Sequence, residues 1–185
     1  MKTLTVTGHR PNKLGRELYE WNTQLSEKYI EFFKRYISQY LDEVQEPVRC
    51  RSGMALGVDT MFAIAVLRLR NEGLNVSLEC CIPCSNHSSN WIKSSIDLYD
   101  KILQAADKVT YVSNELYTSW CMQARNEYMV DGCDRVLAVW DGTSGGTGNC
   151  VNYAKKQSKE IDRIHPRGIK VGTPRIESCR RFEND

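Results

Sequence analysis

An α/β fold built on a parallel sheet is predicted by three features of the sequence. Strand-like apolar runs alternate with longer stretches of helical periodicity, glycine- or proline-bearing turns mark the changeovers, and internal repeats are absent. The 185 residues, 41% hydrophobic and 26% charged, suit one globular domain with room for a core.

The first strand is read at Leu4 to Thr7, and Gly8-His9-Arg10-Pro11-Asn12 stops it without continuing as strand or helix. A long helix is expected from about Trp21 to Val44, because Ile30, Phe33, Ile37, Leu41 and Val44 recur three and four apart and form one stripe. A second face carries Tyr29, Phe32, Tyr36 and Tyr40, expected to be exposed and to favour self-association, with packing inside its own subunit as the alternative. Val48 to Ser52 is the second strand, followed by the turn Gly53 to Asp59 and a mostly apolar helix to about Arg70. Val76 to Ile82 is the third strand, broken by Pro83. Ile92, Ile96, Tyr99, Leu103 and Ala106 then mark a helix, and Val109 to Val112 a short strand. Ser119 to Val130 is expected to be helical and Arg135 to Trp140 is the most apolar strand. A glycine-rich loop, Gly142 to Gly148, opens a helix through Lys156, and a weak last strand lies near Ile161 to Ile164. This places one domain at residues 1–165 and a surface extension at 166–185, with Arg175, Arg180 and Arg181 either solvated or covering a partner.

The charge balance narrows the function. Twenty-five Lys and Arg against 23 Asp and Glu leave +2, so no long-range positive field gathers a nucleic-acid backbone, and a nucleic-acid partner is not expected. No run approaches the roughly 18 apolar residues that cross a bilayer, and Met1 to Gly8 is too polar for a signal peptide. The expectation is a cytoplasmic protein with no membrane partner, and its eight cysteines are read as reduced thiols. Cys81 and Cys84 have the spacing of half a zinc knuckle, but no second half exists and Cys80 and Cys81 point to opposite faces of a strand. No metal is predicted.

In an open parallel sheet, ligands sit outside the carboxyl ends of the strands. The loops there are Thr7-Gly8-His9-Arg10, Ser52-Gly53-Met54, and Asp141-Gly142-Thr143-Ser144-Gly145-Gly146-Thr147-Gly148-Asn149. Glycines let a phosphate reach backbone N–H groups that a β-carbon would shield, and the helix that follows adds its positive end. Gly145, Gly146 and Gly148 suit that need, with Thr147 and Asn149 as side-chain donors, although a strand-to-helix turn uses glycine without any ligand. The sequence is neither a dinucleotide fingerprint nor a Walker A loop. His9 is placed to meet a phosphate or to be an ordinary turn residue. Asp59 is read as a base, a ribose-hydroxyl acceptor or a helix-end carboxylate, and Asp141 as a site residue or an anchor of the loop backbone. Trp91, Tyr117 and Trp120 are candidates for stacking on a base, whereas Trp140 is expected in the core.

Ser52-Gly53-Met54-Ala55-Leu56-Gly57-Val58-Asp59, Arg125-Asn126 before Met129-Val130-Asp131, and Val139-Trp140-Asp141-Gly142 leading to Gly145-Gly146-Thr147-Gly148-Asn149 resemble the YpsA-type branch of the SLOG superfamily. That superfamily also contains the LOG phosphoribohydrolases and the DprA/Smf proteins. The resemblance runs from Thr7 to about Ala154 and includes Pro83 with Trp91. It implies a Rossmann-like three-layer sandwich, a mainly parallel sheet flanked by helices, that binds ADP-ribose, an NAD derivative or a cyclic nucleotide. It also implies a homo-oligomer, a place in prokaryotic antiviral nucleotide signalling, and phosphate contacts from Arg125 and the glycine loop. A bidentate guanidinium suits that role, with an ion pair to Asp131 or Glu127 as its structural alternative.

LOG enzymes carry two glycines, any residue, Gly-Thr, two residues and a catalytic Glu. Here the Thr place holds Asn149 and the Glu place Asn152, and an amide neither takes a proton nor carries the charge that steadies an oxocarbenium-like transition state. The leading expectation is therefore a sensor or sequestering protein without cofactor or identified catalytic residue. N-glycosidic hydrolysis with a substitute aspartate and DprA-like single-strand DNA binding are the alternatives.

Overall fold

The computed structural model describes residues 1–179. In chain order the elements are β1 (Lys2–Gly8), α1 (Pro11–Leu14), a 3-10 turn (Arg16–Tyr19), α2 (Gln24–Val44), β2 (Val48–Ser52), α3 (Val58–Asn71) and β3 (Val76–Ile82). Then follow α4 (Lys93–Ala105), β4 (Lys108–Tyr111), α5 (Cys121–Asp131), β5 (Arg135–Val139), α6 (Gly146–Lys156), β6 (Glu160–Ile164), α7 (Pro166–Val171) and β7 (Ile176–Cys179). The sheet order is β4-β3-β2-β1-β5-β6-β7. β1 to β6 run parallel and β7 antiparallel to β6.

Alternation along the strands separates two cores. Leu4, Val6, Leu78, Leu137 and Val139 face the larger one, under α2, α3 and α4. Val136, Ala138 and Ile161 face the smaller one with Val130, Cys150, Val151 and Ala154 of α5 and α6. This is the three-layer, Rossmann-like arrangement the sequence predicts. β2 leaves β1 on one side and β5 pairs on the other, so the strand order reverses at β1 and a crevice opens above its carboxyl end.

The structure departs from the sequence reading in several places. Pro11, read as a break, is the first residue of the one-turn helix α1, because its missing N–H is one a helix start leaves unbonded anyway. α2 starts at Gln24 rather than near Trp21, fixed by a reciprocal cap: Ser26 N–H donates to Thr23 Oγ1 (3.1 Å) and Thr23 N–H to Ser26 Oγ (2.9 Å). Tyr29, Phe32, Tyr36 and Tyr40 are buried rather than exposed. α7 packs on α2, Tyr36 donates its hydroxyl to Asp162 of β6 (2.6 Å), and the Arg135 guanidinium lies 4.6 Å from the centre of the Tyr40 ring. Periodicity reports which faces are apolar, not what covers them, and the second stripe packs within its own chain. The residue-based argument for an oligomer therefore falls.

Past residue 165 the chain forms α7 and then β7, whose four residues are all exposed at the sheet edge. Arg175 is exposed, while Arg180 and Arg181, read as solvated or partner-covering, lie outside the described residues. No helix among the described residues is long and apolar enough to cross a membrane.

Candidate functional site

Above β1 the crevice has a volume of about 260 Å³. The end of β1 contributes Gly8, His9 and Arg10, α3 contributes Asp59, α5 contributes Arg125 and Asn126, and the start of α6 contributes Gly145, Gly146 and Thr147. These nine predicted residues, from four separate segments, meet in one place.

The glycine rim is set by backbone conformation. Gly145 has φ +141° and ψ −166°, a region essentially closed to residues with a β-carbon. Asn149 N–H donates to the Gly145 carbonyl (2.9 Å), so the N–H groups of Gly146, Thr147 and Gly148 are the unbonded donors of the helix start. Such unbonded N–H groups, at the positive end of the helix dipole, have the geometry and sign that suit an anion.

Asp141 anchors this rim from outside the crevice. Its carboxylate accepts from Thr143 N–H (3.0 Å) and Thr143 Oγ1–H (2.6 Å) and pairs with His9 Nε2 (2.7 Å). The Thr143 hydroxyl and N–H, with His9, hold the carboxyl well below the usual range. Gly142 supplies the left-handed turn with φ +91°, and Trp140 closes the loop by donating its indole N–H to the Thr143 carbonyl (2.8 Å). Trp140 is half-buried, packed against the smaller core with the Arg163 guanidinium 5.1 Å from its ring centre. Gly148 packs toward Trp140, and Asn149 is exposed away from the crevice.

Ser52, Gly53 and Met54 do not line the crevice. Ser52 Oγ donates to the Asp59 carbonyl (2.8 Å) and accepts from Met54 N–H (3.2 Å), while Met54 is fully buried in a left-handed conformation with φ +57°. They brace the turn that delivers Asp59. Gly53 is needed by close approach: its carbonyl accepts from Arg125 Nη1, and a β-carbon there would overlap the guanidinium.

Arg125 is 6% exposed, yet among the described residues its guanidinium has no carboxylate within 4.0 Å. Its partners are the Gly53 carbonyl and the Asn126 side-chain oxygen (3.1 Å). The alternative ion pairs do not form: Asp131 accepts from Tyr153 and Glu127 from Gln123. Asp59 is buried and its carboxyl is pushed up by burial, against the opposing pull of the Arg125 charge and the Ala55 N–H at 3.3 Å. Its carboxylate does not come within ion-pair distance of the guanidinium.

Besides the apolar lining residues Val6, Ala55, Met122 and Met129, two polar ones escaped the sequence reading. α1 presents Asn12 and Lys13, and Lys13 Nζ donates to Thr143 Oγ1 (3.0 Å) beside Gly145. A four-residue helix has no periodicity to detect, and Pro at its first position was the available signal. Of the stacking candidates, Tyr117 and Trp120 are exposed outside the crevice, and Trp91 lines a neighbouring cleft. Asn152 is exposed and does not line the crevice. All eight cysteines are free, and among the described residues no cluster of His, Cys, Asp or Glu is placed to hold a metal.

The model of the YspA SLOG family (YpsA) matches residues 4–170. The SPbeta prophage-derived protein YoqJ of Bacillus subtilis is 31% identical over 128 residues, 62% of this chain and 75% of that one. The UPF0398 protein BH1768 of Halalkalibacterium halodurans is 28% identical over 177 residues, 94% and 89% of the two chains. Among solved structures, DNA processing protein A of Streptococcus pneumoniae superposes with a TM-score of 0.60 at 16% identity, covering 88% of this chain and only 50% of that one. DNA processing protein A of Helicobacter pylori, described for its single-stranded DNA binding mode, gives 0.56 at 15% identity over 93% and 73%.

Proposed function

From its membership of the YspA SLOG family, to which this chain belongs, and from the geometry of its crevice, we infer that the protein binds a phosphate-bearing, nucleotide-derived ligand at the glycine rim. The observation that carries this reading is the buried Arg125 guanidinium without a carboxylate partner, beside free backbone donors on α6. A buried cation without a counter-charge is costly, and a ligand phosphate supplies the missing partner through bidentate hydrogen bonds. Lys13 and Arg10 add charge at the rim.

The proposed role is a cytoplasmic sensor or sequestering protein in nucleotide signalling of the ADP-ribose, NAD-derivative or cyclic-nucleotide type. Native mass spectrometry of protein taken from cells producing such signals tests it, with a co-purifying phosphate compound as the expected result. Incubation with nucleoside monophosphates tests the hydrolase alternative: release of free base, abolished by Asp59→Asn, would replace the binder reading.

The likeness to DNA processing protein A favours single-stranded DNA as a second reading. Salt separates the two. With Arg10, Lys13 and Arg125 as the phosphate contacts, DNA binding would follow a log–log salt slope of about −2, and independence from strand length would discount it.

A further inference from the structure

Beyond Arg10 and Asn12, which line both spaces, a second cleft of about 600 Å³ opens beside the glycine-rimmed crevice. Its chemistry differs. Tyr19, Leu56, Trp91 and Ile92 form apolar walls, and Arg10, at the boundary with the first crevice, is its one cationic lining residue among those described. Trp91 is half-buried, held from inside by edge-on contacts to His87 (5.0 Å between ring centres) and Tyr99 (5.3 Å). Its indole is therefore a fixed platform. Ile92 and Tyr19, which also line this cleft, are solvent-exposed.

One polar group lining this cleft lacks a partner. Ser95, on the first turn of α4, is 2% exposed, lines the cleft, and its hydroxyl makes no hydrogen bond. Buried hydroxyls are nearly always bonded, so one left open against a cavity points to an occupant. The start of α4 has no side-chain cap, and Asn90 adds an amide with both donor and acceptor character.

We propose that this cleft is the nucleobase seat of the ligand, with a planar heterocycle between Trp91, Tyr19 and Ile92 and its polar edge toward Ser95 and Asn90. The proposal rests on the reading that the first crevice holds the phosphate, with the ligand passing Arg10. Apolar walls and a few convergent polar groups suit a heterocycle, whereas a second phosphate would find a single cation at the margin.

Calorimetric titrations with ribose 5-phosphate, adenosine and guanosine 5′-monophosphates, adenosine and guanosine test it on wild-type protein and on a Tyr19→Ala/Ile92→Ala variant. Both substituted side chains are exposed, so the core is untouched. At least one monophosphate is expected to bind about tenfold or more tighter than ribose 5-phosphate, consistent with a stacked base. The double variant, which keeps Trp91, should reduce that advantage severalfold while ribose 5-phosphate binding stays unchanged, and Ser95→Ala should lower monophosphate affinity severalfold. Monophosphates binding no tighter than ribose 5-phosphate, or an advantage unchanged by the double variant, overturns the base seat and leaves the phosphate reading standing. Nucleosides that bind in a variant-sensitive way while ribose 5-phosphate does not would keep the seat and overturn the phosphate reading. Binding of none of these probes overturns both.

Discussion

Two arginines, Arg51 and Arg125, are both nearly buried and are treated in opposite ways. Arg51 on β2 pairs with Glu79 Oε2 (2.8 Å) and lies over the Tyr128 ring, while Glu79 also accepts from Thr110 (2.8 Å) and Tyr128 (3.1 Å). Burial alone would raise the Glu79 carboxyl, but Arg51 and Thr110 outweigh it and hold it at about 2. Arg125 on α5 has a backbone carbonyl and an amide oxygen. A saturated charge network is structure. A buried cation left without a carboxylate, in the wall of a crevice that also holds unbonded N–H groups, is the observation on which the proposed anion site rests.

The comparison breaks if the two arginines respond alike. Arg51→Gln should lower the unfolding free energy by about 2–3 kcal/mol, because it leaves the buried Glu79 carboxylate with Lys108 (3.1 Å) as its remaining cation. Arg125→Gln should leave stability unchanged or raise it. Chemical denaturation of both variants is the check.

The saturated network also has a pH signature. Glu79 is depressed from 4.5 to about 2 in the folded chain, so its stabilisation is complete above pH 4.5 and is lost as the pH falls through 2. The amount is about 3 kcal/mol at 1.36 kcal/mol per pH unit. Glu79→Gln should remove this part of the acid dependence in denaturation curves recorded between those two values.

Smaller effects sharpen the unsaturated side. Gly145→Ala forces a β-carbon into φ +141° and should cost about 1–3 kcal/mol, read as weaker binding of ribose 5-phosphate and a lower melting temperature. Asp141→Asn, at a residue outside the crevice lining, weakens the anchor of Thr143 and of the lining residue His9. It should weaken the same binding a few fold, about 1 kcal/mol at most, with little loss of stability.

The order of strands and helices was legible because each leaves a period in the chain, and the meeting of Gly145, Arg125 and Asp59 in one crevice was legible because all three stand near the carboxyl ends of predicted strands. Other assignments needed coordinates. Ser52, Gly53 and Met54 carry the same turn chemistry whether they touch a ligand or brace a neighbour, and here they support Asp59 and Arg125. Tyr29, Phe32, Tyr36 and Tyr40 look exposed only while nothing is known of α7, β6 and the Arg135 side chain packed around them. Lys13 sits on a helix too short to have a pattern. The open state of Arg125 is a statement about which carboxylates are absent from its surroundings, and no local motif encodes that.

The most direct test measures ribose 5-phosphate affinity for wild-type protein and for Arg125→Gln by calorimetry, with thermal melting of both proteins as the control. Losing charge-assisted hydrogen bonds of roughly 1.5–3 kcal/mol should weaken binding by about ten- to a hundredfold while the variant melts no lower than wild type. Equal affinities, or a variant that binds less only because it melts far below wild type, would contradict the assignment of Arg125 as the ligand's counter-charge.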